Sequence, residues 1–356
     1  MYNKQQYSEL LNHIISDMEV ADEIYKPSNF WQHGSERINN DLESFGIENF
    51  RNFISALGFF VPTYRFMGTA LDPDRYAFIR EKFVSAVDND YKSALTIDDV
   101  LTGTAQAYSD YRVYKASYID SPPYTSEFSE SDIGNPVERF EFEDNFYSRS
   151  SLNYLLGINF MKSCIKDLNI KTVLEIGGGF GTLGEILLSD DKNDVFYANI
   201  DIPPTNIFST YYLKQIFGNA NILDYDEFKK QSSHNLQDLH KNYKGAVLAP
   251  WQIEQLKGEV DLLVNFISFQ EMEPHIVKNY LSNFDQLNTK YILLRNLREG
   301  KNIATENSII GVKTPILADD YDKFLPNYEL IDTNVLPFGF RTVDGFNSEL
   351  RLYQRK

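Results

Sequence analysis

The sequence predicts an α/β protein with a doubly wound, mainly parallel sheet that ends in an antiparallel hairpin, preceded by a mostly helical segment. Three observations indicate this fold class. From residue 146 onward, short apolar runs of strand length alternate with helix-like stretches. A glycine-rich turn joins the first of these strands to a helix, and two extended runs with no helix between them close the chain. We therefore divide the chain into residues 1–145 and 146–356.

The first predicted strand of the second part is the apolar run Thr172–Ile176, whose length suits a buried parallel strand. Thr182 and Glu185 have the spacing of a capping box, which predicts that the next helix begins near Thr182. A glycine turn at the N-terminus of a helix lets a ligand approach the backbone closely. The glycines of this turn are Gly177, Gly178, Gly179 and Gly181.

Two cofactors compete for the glycine turn. Gly179, Gly181 and Gly184 match G-x-G-x-x-G, the dinucleotide-binding pattern. Glu175, Gly177, Gly179 and Gly181 instead match acid-x-G-x-G-x-G, the first motif of S-adenosyl-L-methionine (SAM) methyltransferases, in which the acid receives the cationic amino-acid part of SAM. A pyrophosphate is an anion and needs no carboxylate there. Glu175 therefore favours SAM over NAD, and a turn that binds no ligand is the third alternative.

Composition is typical of a cytoplasmic enzyme. The net charge of −17 argues against nucleic acid and anionic membrane surfaces as partners. No apolar run approaches the roughly 20 residues that a membrane span requires, and the first residues are too polar for a signal peptide. The single cysteine, Cys164, excludes an intramolecular disulfide. We expect a cytoplasmic protein that acts on a small molecule or a glycan.

The first 145 residues are predicted to form a mostly helical accessory domain. Apolar spacing predicts helices over Tyr7–Met18, Asn49–Phe60 and Ala77–Val87. Thr96 to Asp99 has the pattern of a helix cap, which predicts a helix from there through Tyr111. This domain either covers one side of the sheet or serves as a lid over the substrate. Its many aromatic residues could also supply a homo-oligomer surface.

Several residues near the predicted strand ends are expected to contact the cofactor. A helix from Phe146 to about Lys166 feeds the first strand and carries Tyr147 and Arg149 at its start. Asp201 ends the strand Val195–Ile200, where an acid suits hydrogen bonds to ribose hydroxyls. Three further features complete the predicted contacts with the cofactor. They are the apolar turn that begins at Ile202, the aromatic ring of Trp251, and two polar side chains around the fourth strand, Asn265 and Ser268.

The last part of the chain gives a second argument on the cofactor. Residues 329–337 and 349–355 are extended runs joined by residues 339–348. A closing hairpin is the expected end of a SAM methyltransferase sheet, whereas a dinucleotide-binding domain more often continues with a parallel strand. The hairpin therefore favours SAM independently of Glu175.

With these elements placed, the sequence resembles the sugar O-methyltransferase family of bacterial SAM enzymes. The matching stretches are VLEIGGGFGTLGEIL at 173–187, NIDIPP at 199–204 and VNFISFQEM at 264–272. The resemblance implies a Rossmann-like class I fold and transfer of a methyl group from SAM to a hydroxyl of a sugar or glycan precursor. The alternatives are a methyltransferase of a non-sugar metabolite, a catalytically silent SAM-fold protein that binds a partner, and an NAD-dependent oxidoreductase.

Methylation of a hydroxyl gains from a general base. We predict His275 and Glu271, after the fourth strand, as the catalytic residues. The other candidates are the polar residues Ser268 and Glu273 after the fourth strand and Arg295 and Asn296 after the fifth. His275 is expected in the first turn of a helix, whose positive end would keep its imidazole neutral. Glu271 would orient that imidazole or act as the base itself. No cluster of side chains has the spacing of metal ligands, so we predict no metal.

Overall fold

The computed structural model describes residues 4–65, 73–87, 91–305, 311–334 and 348–356. The α-helices are α1 (Lys4–Val20), α2 (Asn29–Phe45), α3 (Ile54–Phe59), α4 (Pro73–Ala86), α5 (Tyr91–Thr102), α6 (Thr104–Ser117), α7 (Arg149–Cys164), α8 (Thr182–Leu188), α9 (Thr205–Phe217), α10 (Tyr225–Phe228), α11 (Leu236–Asn242), α12 (Pro274–Gln286) and α13 (Asp320–Phe324). The strands are β1 (Phe140–Phe142), β2 (Asn145–Tyr147), β3 (Thr172–Ile176), β4 (Phe196–Ile200), β5 (Ile222–Leu223), β6 (His234–Asn235), β7 (Gly245–Leu248), β8 (Leu256–Lys257), β9 (Leu262–Phe266), β10 (Tyr291–Leu297), β11 (Tyr328–Asn334) and β12 (Ser348–Arg355).

The central sheet has the strand order β11-β12-β10-β9-β3-β4-β7-β5. The pairs from β10 to β5 are parallel, and β12 runs antiparallel to both β10 and β11. The fold-class prediction is confirmed. Both strands of the predicted closing hairpin are present, while most of the connection between them lies outside the described residues.

Burial on both faces explains why the central strands are continuous apolar runs. All residues of β3, β4, β7, β9 and β10 are buried. One apolar core joins one face of the sheet to α7, α8, α9 and the N-terminal helices, and a second joins the other face to α11, α12 and α13. The sheet therefore lies between two layers, as a doubly wound fold requires. No helix in the described part of the chain is long and apolar enough to cross a membrane.

The N-terminal residues share the first core with the sheet layer. The ring of Phe50 lies 5.3 Å from that of Phe208 in α9 and 5.5 Å from that of Phe180 beside the glycine turn. Beside this aromatic cluster, the buried guanidinium of Arg51 pairs with the carboxylate of Glu130. These contacts bring the residues after α3 close to the carboxyl ends of β3 and β4. The division at residue 145 stays a prediction, because the core is continuous across it.

Three predictions about the N-terminal helices and the start of α7 differ from the structure. Thr96 to Asp99 lies inside α5, and the helix breaks instead at Gly103, whose φ is 82°. The predicted helix Asn49–Phe60 is a 3₁₀ segment and a short α-helix separated at Phe53. The residues preceding α7 form β2, and Ser148 caps the helix.

The predicted capping box of α8 is also wrong. Gly181 is the N-cap, Thr182 Oγ1 lies 2.9 Å from Ser150 Oγ, and Glu185 accepts hydrogen bonds from Tyr212 Oη and the backbone of Ser131. Both side chains thus contact residues that are distant in the chain, and the predicted capping bonds of Thr182 and Glu185 are not formed.

Candidate functional site

A cavity of about 610 Å³ opens at the carboxyl ends of the parallel strands. The chain passes from β3 through β4 to β7 in one direction across the sheet, and β9 and β10 lie on the other side of β3. Strand order therefore reverses between β3 and β9, and crevices at such switch points bind ligands in this class of fold. The loops after β3, β4 and β9 and the end of β10 line the cavity.

The N-terminal segment covers this cavity. Residues from two stretches, Tyr25 to Trp31 and Leu57 to Arg65, contribute to the lining. Trp31, Phe59 and Phe60 give this roof a largely aromatic surface. The aromatic rings of Phe30, Trp31 and Phe59 contact one another at centroid distances of 5.5 to 5.9 Å. The accessory segment therefore forms part of the cavity wall.

The glycine turn forms the floor. Gly177, Gly178 and Gly179 line the cavity, whereas Gly181 packs against α9. A Cβ at Gly177 would lie 2.2 Å from Ser268 Oγ, so glycine is what allows β3 and β9 to approach here. Gly179 has a φ of 59°, which side chains rarely adopt, and its Cβ position is open, with the carbonyl oxygen of Phe60 nearest at 3.6 Å. A ligand can therefore contact the backbone at Gly179.

Asp201 joins this floor from the end of β4. Its Oδ2 accepts from Gly179 N at 2.9 Å and its Oδ1 accepts from Ile202 N at 2.8 Å. Burial raises the pKa of Asp201 to about 8. A carboxylate has about four acceptor positions, so two remain for hydroxyl groups of a ligand. The predicted contacts Asp201 and Ile202 both line the cavity.

Glu175 does not line the cavity. It is completely buried behind the glycine turn, where its two oxygens accept from Tyr154 Oη at 2.7 Å and Tyr197 Oη at 2.6 Å. Burial raises the pKa of Glu175 to about 7. The residue that lies between Glu175 and the cavity is Tyr154, whose ring stacks on Phe266 at 4.7 Å. The expectation that Glu175 itself receives a cationic ligand is therefore replaced by a supporting role under the turn.

Strained backbone marks the loop after β9. Ile267 has a φ of 76°, which is rare for a β-branched residue, and it lines the cavity. The buried amide of Asn265 holds this loop, since its Nδ2 donates to Ile176 O at 2.9 Å and to Ser268 Oγ at 2.5 Å. Ser268 lines the cavity, and Asn265 lies beneath it. Asn265 therefore positions the loop rather than facing a ligand.

Glu271 is the second carboxylate that lines the cavity. Its Oε1 lies 2.9 Å from Lys301 Nζ, and its Oε2 accepts from Trp31 Nε1 at 3.1 Å. Only 6% of Glu271 is exposed. Burial raises its pKa, and the ammonium of Lys301 opposes that rise. The sequence analysis does not predict Lys301 and Trp31 as site residues, because neither belongs to a strand-end pattern.

His275 lies outside the site. Helix α12 begins at Pro274, so Ile276 and Tyr280 turn inward and line the cavity while His275 is exposed. Successive helical residues are about 100° apart, and His275 therefore faces solvent. The helix starts too late for Glu271 to share a helical face with His275. The predicted pairing of these two residues is not formed.

Two further predicted contacts lie away from the cavity. Tyr147 is buried in an aromatic cluster, with its ring 5.2 Å from that of Tyr111. Trp251 donates from Nε1 to Tyr225 Oη at 3.2 Å, and its neighbour Pro250 lines the cavity instead. Arg149 does line the cavity, and its guanidinium donates to Thr63 O at 2.7 Å. Among the described residues, no three acidic, histidine or cysteine side chains come together as metal ligands would.

Comparisons with known proteins find distant structural likenesses. No protein-family model matches the sequence, and no curated protein matches it. The small RNA methyltransferase HEN1 aligns with a TM-score of 0.38 and 15% identity over 62% of this chain; the match spans 27% of the HEN1 chain. The mitomycin 7-O-methyltransferase MmcR aligns with a TM-score of 0.36 and 10% identity, over 94% of this chain and 74% of MmcR.

A third solved structure is magnesium protoporphyrin IX methyltransferase from Synechocystis PCC 6803 with bound SAH. It aligns with a TM-score of 0.38 and 11% identity, over 70% of this chain and 95% of that chain. At TM-scores this low, none of these likenesses bears on function. The functional conclusion therefore rests on the residues of this cavity and on the strand order of the sheet.

Proposed function

We propose that this protein is a SAM-dependent O-methyltransferase that transfers a methyl group to a hydroxyl of a sugar or glycan precursor. The observation that carries the proposal is the hydrogen bond between Gly179 N and Asp201 Oδ2 on the cavity floor. It joins a glycine turn and an acid at the ends of two adjacent parallel strands. That arrangement binds the ribose of nucleoside cofactors.

The closing hairpin favours SAM over NAD. Because Glu175 lies behind the glycine turn, it no longer separates the two cofactors by direct contact. Strand β12, however, lies antiparallel between β10 and β11. A dinucleotide-binding sheet would more often continue with parallel strands. The sheet topology thus supports a SAM cofactor without any appeal to Glu175.

The lining residues fit the parts of SAM. The free acceptor positions of Asp201 suit the two ribose hydroxyls, and Ile202 and Pro250 offer apolar edges for adenine. The open side of Gly179 leaves room for the chain that joins ribose and sulfur. Arg149 lines the same cavity, and its guanidinium suits the carboxylate of the cofactor.

When bound, SAM supplies an electrophilic methyl carbon on a sulfonium. Glu271 is the residue that would take the proton of the acceptor hydroxyl, because it is the described lining carboxylate other than Asp201. Trp31, which belongs to the aromatic roof, and Lys301 hold its two oxygens in place. Positioning of the acceptor by these groups is the main contribution that a methyltransferase makes.

The sugar acceptor rests on the sequence resemblance alone, and a non-sugar acceptor is the alternative. Exclusion of nucleic acid likewise stays a prediction from the net charge. Calorimetric titration with SAM, S-adenosylhomocysteine and NAD tests the cofactor, and we expect the first two to bind. Binding of NAD alone would overturn the proposal. Methyl transfer from labelled SAM to a panel of sugars and nucleotide sugars then tests the acceptor, and SAM binding without turnover on any panel would favour a catalytically silent protein.

A further inference from the structure

A completely buried asparagine lies beneath the glycine turn. Asn199 belongs to β4 and is paired in register with Glu175 of β3. Its Oδ1 accepts from Gly178 N at 3.1 Å, and its Nδ2 donates to Gly179 O at 3.1 Å. The same Nδ2 also donates to Ser209 Oγ of α9 at 2.9 Å. Asn199 therefore holds two consecutive glycines of the turn, and α9 holds Asn199.

The surroundings of Gly178 show on which side of the turn Asn199 lies. A Cβ at Gly178 would lie 2.7 Å from Asn199 Oδ1 and 2.4 Å from Glu175 Oε2. Gly178 lines the cavity, whereas Asn199 and Glu175 do not. The two buried side chains therefore lie on the inner side of the turn, and the cavity lies on its outer side.

The hydrogen bonds of Asn199 set the orientation of two peptide groups, both of them trans. In a trans peptide the C=O and the N–H point in opposite directions. Because Gly178 N–H points inward to Asn199, the carbonyl of Gly177 points outward. Because Gly179 C=O points inward to Asn199, the N–H of Phe180 points outward. Gly177 and Phe180 both line the cavity, so these two peptides present one acceptor and one donor to it.

The other hydrogen bonds of the turn distinguish between ligands. Gly177 N donates to Ile200 O and Gly179 N donates to Asp201 Oδ2, each at 2.9 Å. Together with Gly178 N, the N–H groups of all three cavity-lining glycines are thus used within the protein. A pyrophosphate offers only acceptors and binds glycine turns through backbone N–H groups. The ammonium and carboxylate of an amino acid instead match one acceptor and one donor.

We propose, on the basis of the SAM-dependent function above, that Asn199 is a positioning residue for the amino-acid part of the cofactor. It orients Gly177 O to accept from the ammonium and Phe180 N to donate to the carboxylate. A carboxylate has about four acceptor positions, so this donor and Arg149 can share it. The ribose depends on Asp201 instead. Asn199 should therefore matter for ligands that carry the amino-acid part and not for the nucleoside alone.

Calorimetry with S-adenosylhomocysteine and methylthioadenosine tests the assignment, because methylthioadenosine lacks the amino-acid part. The unaltered protein should bind S-adenosylhomocysteine about 10-fold more tightly or better. Asn199→Ala should weaken S-adenosylhomocysteine by about 10- to 100-fold, the value of one or two hydrogen bonds, and leave methylthioadenosine unchanged. The ratio of the two affinities is the readout, since a general loss of stability would not separate the two ligands.

Asn159→Ala is the matched control. Asn159 is 1% exposed, and its Nδ2 donates to Tyr114 O at 2.9 Å and to Ser117 Oγ at 3.0 Å. It therefore resembles Asn199 in burial and in its two donated hydrogen bonds, but it lies in α7 outside the cavity lining. The substitution should cost comparable stability in urea unfolding and leave the affinity ratio of the two ligands unchanged.

Three results would overturn the assignment. They are equal affinity of the unaltered protein for both ligands, an unchanged affinity ratio in a folded Asn199→Ala protein, and an equal change of that ratio in Asn159→Ala. If Asn199→Ala does not fold, Asn199→Thr suits a strand, and its shorter side chain cannot hold both peptides. It should lower the ratio in the same way, and an unchanged ratio would again contradict the assignment. Failure of S-adenosylhomocysteine to bind the unaltered protein would instead contradict the proposed function.

Discussion

The indole N–H of Trp31 donates to Glu271 Oε2 at 3.1 Å, joining two residues that lie 240 positions apart in the chain. The bond links the N-terminal roof to the loop after β9, and both side chains are buried. Because Lys301 holds the other carboxylate oxygen, Glu271 is fixed from two directions. This fixation is the reason why we propose Glu271 as the base, and it leads to the first two predictions.

Glu271→Gln should lower turnover by about 10²–10⁴, the usual contribution of a general base, while S-adenosylhomocysteine binding is kept. A base works when deprotonated, so the rate should fall as pH drops through the pKa of Glu271, which burial raises above the ordinary carboxyl value. Steady-state kinetics over pH 5–9 measure both effects. His275→Ala is the matched control, since His275 is exposed, and it should keep full activity. Full activity of Glu271→Gln together with a loss of activity in His275→Ala would instead indicate that His275 belongs to the site.

Trp31→Phe keeps an aromatic ring and removes one donor to Glu271. Because that hydrogen bond favours the ionised carboxylate and lowers its pKa, the substitution should raise the pKa and move the acid limb of kcat/KM to higher pH. The protein should lose about 1 kcal/mol of unfolding free energy. Trp251→Phe removes the bond to Tyr225 away from the cavity and should cost similar stability without moving the pH profile. Identical profiles for the two variants would contradict the role of Trp31.

Asp201→Ala should weaken S-adenosylhomocysteine binding by roughly 1–3 kcal/mol, because it removes the acceptors proposed for the ribose hydroxyls. Calorimetry measures the loss. The same titration with 2′-deoxyadenosylhomocysteine separates ligand contact from damage to the turn, since Asp201 also accepts from Gly179 and Ile202. Removal of the 2′-hydroxyl should cost more binding free energy in the unaltered protein than in the Asp201→Ala variant. Equal losses in both proteins would show that Asp201 acts only on the backbone.

Gly179→Ala should place a methyl group in the cavity and weaken S-adenosylhomocysteine binding. It should also cost about 1–2 kcal/mol of stability, since its φ of 59° strains any side chain. Gly218→Ala is the matched control, with a φ of 90°, open space around its Cβ position and no part in the cavity lining. It should cost at least as much stability, because its ψ of 150° places it in a region that is almost restricted to glycine, and leave binding unchanged. Thermal unfolding and calorimetry compare the two, and equal affinities would place the ligand elsewhere.

Stability should fall as pH rises from about 5 to about 8. Burial raises the pKa of Glu175 and of Glu138 to about 7 and that of Asp201 to about 8. The folded state then binds protons that the unfolded state, with carboxyl pKa values near 4, has released. Each such group lowers the unfolding free energy by up to about 1.4 kcal/mol per pH unit in this window.

Urea unfolding at several pH values measures that slope. Glu175→Gln should flatten it, while Glu329→Gln, at an exposed position, should not. A stability that rises with pH over this range would show that these carboxyl groups are ionised in the folded protein at pH 5.

The sequence by itself predicted the main strands of the sheet, the closing hairpin, the glycine turn and the position of Asp201 at a strand end. These features are local: apolar runs of strand length predict buried strands, and the turn and Asp201 each follow directly from a strand end. Since parallel strands place their carboxyl ends at one edge, their residues meet without further information. Gly177, Gly178, Gly179, Asp201, Ser268 and Glu271 all line one cavity as a result.

Only the tertiary structure decided which way the remaining side chains face and what comes to meet them. Because α12 begins at Pro274, His275 faces outward. Glu175 lies behind the glycine turn, where two tyrosine hydroxyls donate hydrogen bonds to it. Trp31 and Lys301 reach Glu271 from distant parts of the chain, and no local pattern encodes such a meeting. Helix phase changes by about 100° per residue, and long-range contacts depend on packing. For these reasons the sequence predicted the position of the cavity, and the tertiary structure decided which charged side chains line it.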